Sequence, residues 1–244
     1  MATTNWFGFE AEEFTFENHA ATVVFPREGT SCGRLMVKTE YRDAFPEALE
    51  IPLLERGFHL CFLQNDNRWG DSPDLDRKAR FVRFVAEKYH LSPACVPVGM
   101  SCGGLIAIKF AAKYPELVSC LYLDAPVVNY MSCPCGFGKG VALGDGSGIP
   151  EILEALKLPD LGHLMAYRDM PLDNLPALLN AKIPMVMVAG DADQTVPYDE
   201  NGVFVTKAYQ NAGLPFLEFI KPGCDHHPHG MADPRDVVAF ILAH

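Results

Sequence analysis

A serine and a cysteine stand side by side in VPVGMSCGG, residues 96–104. Either side chain can attack a carbonyl carbon if a general base takes its proton and a third group orients that base. Gly99-Met100-Ser101-Cys102-Gly103 matches G-x-S-x-G. In that pattern the nucleophile sits on a sharp strand-to-helix turn, and small residues two places either side keep neighbouring backbones from clashing. Centred on Ser101, both flanking positions are glycine; centred on Cys102, the position two before is Met100, too bulky for the turn. The spacing therefore selects Ser101 as the attacking group. Cys102 would offer its backbone N–H to a developing oxyanion, with its thiol left as packing.

A base and an acid must come from elsewhere. KPGCDHHPHGMADP (residues 221–234) holds His226, His227 and His229, and MVMVAGDADQTVP (185–197) holds Asp191 and Asp193. Asp124, in LYLDAP, is a third acidic candidate. The plain alternative for the Asp-rich stretch is a solvated turn, since Asp and Gly favour turns.

These residues need elements to carry them. FTFE and ATVVFP, split at Asn18-His19, predict an antiparallel hairpin, and GRLMVKTEY (33–41) a third strand. Strands and helices then alternate. Residues 46–57 predict a helix stopped by Gly57, and FHLCFLQ (58–64) a strand buried on both faces. Residues 74–90 predict a helix with Phe81, Phe84, Val85 and Tyr89 on one face. A strand at 94–100, a helix at 102–115 and a strand at 117–126 follow. Residues 127–182 break the rhythm, being rich in Gly, Pro and Met, and suggest a small cap insertion within a single domain over 1–244. After it come a strand ending at Gly190, a helix over 199–213, a strand over 214–223 and a final helix. Such alternation implies an α/β fold: a mostly parallel sheet with helices on both faces. Ligands in such sheets bind beyond the carboxyl ends of the strands, where Ser101, Asp193 and the three histidines fall.

The arrangement resembles the α/β-hydrolase superfamily, closest to its single-domain bacterial serine esterase and prolyl-oligopeptidase-like branches. The likeness runs from the third strand to the last helix and rests on three motifs in chain order. The first is G-x-S-x-G at 99–103. The second is Gly190, Asp193, Val196 and Pro197, matching the acid loop G-x-x-D-x-x-V-P. The third is Gly223-Cys224-Asp225-His226, which keeps the first glycine of G-x-G-H and has Asp225 at the second. The resemblance implies a triad of Ser101, Asp193 and His226, with His227 the main rival for the base. It implies acyl transfer through an acyl-enzyme, acting on carboxylic esters of small or medium substrates. It also implies an oxyanion hole built from the backbone N–H of Cys102 and of a residue near Tyr41. A catalytically silent ligand-binding protein and a small peptidase or amidase are the other readings.

Glu40, Arg68 and Trp69 lie in loops that face the same strand ends. Trp69 could wall a substrate, and Arg68 could hold a carboxylate or pair with Glu40. In the insertion, Tyr130, Met131, Phe137, Met165, Tyr167 and Met170 read as an acyl pocket or as core. The His loop with Cys133, Cys135 and Cys224 fits no familiar zinc spacing, and aspartates 191, 193 and 199 lack the calcium-loop pattern, so no metal and no cofactor are expected. The chain has 244 residues and a formal net charge of −11. That charge opposes nucleic-acid and anionic-membrane partners. No apolar run approaches a bilayer-spanning length. The N-terminus lacks the pattern of a signal peptide, so the eight cysteines read as free thiols of a cytoplasmic protein.

Overall fold

Two left-handed two-residue turns open the chain. Phe7 and Gly8 (φ 47° and 89°) join β1 (Ala2–Trp6) to β2 (Phe9–Phe16), and Glu17 and Asn18 (φ 46° and 66°) join β2 to β3 (His19–Val24). Consecutive positive φ values match the twist of antiparallel partners, and Phe16 pairs with His19 across the second turn. The hairpin expected around Asn18 is present. Strand β1 was not foreseen: of its five residues only Trp6 is buried, so little apolar alternation marks it. The computed structural model describes residues 2–141 and 148–244.

After β4 (Leu35–Lys38), a 3-10 turn and the short α1 (Glu50–Leu54) lead to β5 (His59–Leu63). Then follow α2 (Ser72–Tyr89), β6 (Val96–Met100), α3 (Cys102–Lys113) and β7 (Leu121–Asp124). The sheet order is β1-β2-β3-β5-β4-β6-β7, completed by β8 (Met185–Gly190) and β9 (Phe216–Lys221). Strand β3 runs antiparallel to β5, and every pairing from β5 to β9 is parallel.

The period of two along these strands divides the interior into two cores. Leu121, Leu123, Met185 and Met187 face one side, packed with α2, α3 and α7 (Gly202–Ala212). Tyr122, Val186 and Val188 face the other, against α1 and α8 (Arg235–Ala243). Strands covered on both faces read as continuous apolar runs, and MVMVAG is one: all six residues of β8 are buried.

Between β7 and β8 lie α4 (Gly148–Ala155), α5 (Leu161–Ala166) and α6 (Pro171–Asn180). Helix α6 packs against α3, and its Leu175 and Leu178 join the same core. The stretch foreseen as a cap over 127–182 thus includes a helix that covers the sheet. Its residues 142–147 lie outside the described residues.

Candidate active site

Ser101 links β6 to α3 with φ 53° and ψ −121°, a region that side-chain-bearing residues avoid. Holding one there costs about 1–3 kcal/mol, which the surroundings must supply. Ser101 N–H donates to the Asp124 carbonyl at 2.9 Å, and the Ser101 carbonyl accepts from Gly104 N–H at 2.9 Å and Val127 N–H at 3.1 Å. The glycines are steric requirements. A methyl on Gly99 would lie 2.5 Å from the Gly103 carbonyl oxygen, and one on Gly104 would lie 2.5 Å from Pro126 Cβ. At Gly103 the closest contact is looser, Thr39 Oγ1 at 3.1 Å. The pair that makes the turn possible is therefore Gly99 with Gly104, one place beyond the motif position.

The other two sequence-chosen residues reach Ser101 from distant loops. His226 follows β9 and places Nε2 3.0 Å from Ser101 Oγ. Its Nδ1 lies 2.7 Å from Asp193 Oδ2, in the loop after β8. Both distances fit a neutral ring that donates from Nδ1 to the carboxylate and accepts the serine proton at Nε2. Asp193 is 6% exposed. Its Oδ1 accepts from the N–H groups of Thr195 (2.9 Å) and Val196 (2.7 Å), which fix the orientation of the carboxylate.

The rival residues have partners of their own. Asp191 accepts from Gly223 N–H at 2.6 Å, tying the β8 and β9 loops together. Asp124 holds His229 Nδ1 at 2.9 Å and accepts from the Tyr122 hydroxyl at 3.1 Å. The exposed His227 stacks on Phe45, with centroids 5.4 Å apart. Burial and the neighbouring histidines push its pKa below the usual imidazole value. Asp225, which replaces a motif glycine, accepts from Gln194 N–H (2.9 Å) and His226 N–H (2.7 Å). The substituted position thus clamps the histidine loop to the acid loop.

Ser101 opens into a cavity of about 340 Å³, lined also by Tyr41, Ala44, Phe45, Met100, Thr195 and the three histidines. Cys102 begins α3, where the first N–H groups have no partner within the helix. Its thiol is 2% exposed and burial pushes its pKa up to about 11. A thiol so held is not a thiolate at neutral pH, so it is a poor nucleophile. Tyr41, at φ 54°, reaches the same cavity.

Three sequence-chosen residues lie elsewhere. Trp69 is fully buried and donates its indole N–H to Glu151 of α4 at 3.0 Å, so it presents no wall to a ligand. Arg68 is bound to the same carboxylate at 2.8 and 2.6 Å rather than to Glu40. Glu40 accepts from Asn65 at 2.6 Å. None of the three lines the cavity, because Glu151, on the short helix that PEILEALK (150–157) predicts and α4 forms, draws Arg68 and Trp69 to itself. The aromatic and methionine side chains chosen in the insertion also lie outside the cavity lining. Tyr130 is core, whereas Phe137 and Met165 are exposed. Phe45 and Thr195 were missed and carried no signal; His229, one of the three histidines of the loop, lines the cavity with Nδ1 on Asp124.

No protein-family model matches the chain, and no curated protein matches it in sequence. Many solved structures are similar, two of which follow. One is a protein of Bacteroides ovatus described as a dipeptidyl aminopeptidase IV, 14% identical with a TM-score of 0.64, over 96% of this chain and 34% of that one. The other is a puromycin hydrolase S511A mutant complexed with PGG, 16% identical with a TM-score of 0.67, over 95% of this chain and 37% of that one. This chain spans about a third of their length.

Proposed function

The likeness to those structures shows the α/β-hydrolase fold, and on it we propose that this protein is a serine hydrolase of small or medium carboxylic esters. The observation that carries the proposal is the continuous line from Asp193 Oδ2 through His226 to Ser101 Oγ, at 2.7 and 3.0 Å. In this reading Ser101 attacks the substrate carbonyl while His226 Nε2 takes its proton. Asp193 holds the imidazole in the required tautomer and stabilises the cation that forms. The oxyanion meets the N–H of Cys102, with that of Tyr41 as the second donor, each such donor supplying about 3–4 kcal/mol to the transition state. The alcohol leaves with the proton from His226, and water, activated by the same histidine, releases the acyl group. The cavity, at about 340 Å³, is at the small end of the range for ligand sites, which supports a compact acyl group. The protein needs no cofactor for this chemistry. Eight unpaired cysteines support a reducing compartment such as the cytoplasm.

Amide cleavage is the second reading, because the similar structures are described as an aminopeptidase and a puromycin hydrolase. A panel of alkyl, acetyl-sugar and feruloyl esters against aminoacyl amides separates the two. On an activated short-chain ester, Ser101→Ala should lower kcat on the order of 10⁴-fold or more, with an unchanged melting profile. Wild-type turnover equal to that of the variant, together with no fluorophosphonate labelling, would instead favour a silent ligand-binding protein.

A further inference from the structure

The three histidines of the loop after β9 converge on one point of the cavity. His226, His227 and His229 each bring a ring nitrogen within 4.8 Å of the others, and their ring centroids are 4.9 to 5.0 Å apart. Two of the rings are oriented from behind by buried carboxylates. Asp193 holds Nδ1 of His226, and Asp124 holds Nδ1 of His229. With Nδ1 engaged, Nε2 is the nitrogen each ring has left for a ligand. A carboxylate on the far nitrogen is how metal-binding histidines are fixed in orientation and made more basic.

We propose that His226, His227 and His229 bind a divalent cation of the zinc type, and that the cation inhibits the hydrolase by taking His226 Nε2 away from Ser101. The inhibitory half rests on the reading of Ser101 and His226 as nucleophile and base; the binding half does not. Three neutral imidazoles suit zinc, copper or nickel rather than magnesium or calcium. Zinc–nitrogen bonds of about 2.0–2.1 Å put tetrahedral donors roughly 3.4 Å apart. The widest nitrogen pair must therefore close by at most about 1.4 Å. His227 can supply that movement, because it is exposed and, among the described residues, its one ring contact outside the cluster is the Phe45 ring. One imidazole nitrogen cannot ligate a metal and accept the serine proton at once, so cation binding and acyl transfer exclude each other.

The test uses the full chain, stripped with a chelator and titrated with Co²⁺, whose visible absorption distinguishes tetrahedral from octahedral coordination. One equivalent should bind with a tetrahedral spectrum, Zn²⁺ should displace it, and Mg²⁺ should not. His227→Ala and His229→Gln should each weaken Co²⁺ binding by at least tenfold, while Ser101→Ala should retain it. Because His227 is exposed, its replacement leaves the fold intact and keeps the binding test interpretable. Zn²⁺ should suppress ester turnover, and chelator should restore it. An absent tetrahedral spectrum, or unchanged affinity in both histidine variants, overturns the site; turnover undiminished or raised by bound Zn²⁺ overturns the inhibition. If Co²⁺ binds as expected but the metal-free chain neither hydrolyses an ester nor reacts with fluorophosphonate, the cation site stands and the hydrolase reading falls.

Discussion

Asp193 divides its two oxygens between two tasks: Oδ2 faces His226, and Oδ1 is fixed by two backbone N–H groups. That division determines what Asp193→Asn would do. The amide oxygen would stay with the backbone donors, so the amide NH₂ would face Nδ1 and force the ring proton onto Nε2. Steady-state kinetics should then show kcat reduced about 10⁴-fold with the fold intact. His226→Ala should be as damaging as loss of the nucleophile, and His227→Ala milder; the reverse order in ester assays would move the base by one position. That Ser101, Asp193 and His226 would meet was legible because each sits in a motif tied to a particular strand end. His229 with Asp124, and Arg68 with Glu151, were not, since no motif ties the residue types of either pair to those places in the fold.

The turn between β6 and α3 sets the position of Ser101 Oγ, and its tolerance can be graded from the glycines. In Gly99→Ala the new methyl would meet backbone, the Gly103 carbonyl oxygen at 2.5 Å and Gly104 Cα at 2.7 Å. Backbone cannot step aside as a side chain can, so urea unfolding should show a loss of about 1–3 kcal/mol, accompanied by a fall in kcat as Ser101 moves. Gly103→Ala meets Thr39 Oγ1 at 3.1 Å and Glu40 Cβ at 3.2 Å, and its effect on both readouts should be smaller. Most strands and helices were readable because each buries a regular apolar pattern. Strand β1, with one buried residue, has none to read. Helix α6 was assigned to a cap because Pro171 and Pro176 punctuate it, yet Pro171 occupies a first-turn position that proline tolerates.

Global stability carries the mark of a cation held inside the fold. Lys78 of α2 is fully buried, donating to the Leu63 carbonyl at 3.2 Å, and burial brings its pKa down to about 8 from 10.5. Between those two values the unfolded chain binds a proton that the folded chain has released. This group's contribution to stability therefore rises with pH from about 8 to 10.5, and below 8 its penalty is at full strength. Lys78→Met should accordingly stabilise the protein more at pH 7 than at pH 10.5 in denaturant melts; an equal effect at both would show that the amine is solvated. Another link that spans the molecule lies at Glu151, whose one carboxylate holds both the Arg68 guanidinium and the Trp69 indole N–H. The chain has two tryptophans, and the other, Trp6, is held by Asp43 on the far side of the sheet. Trp69 is thus a built-in optical probe of how firmly α4 is seated. Glu151→Gln should shift emission to longer wavelength as water reaches that indole, leaving the Trp6 component unchanged.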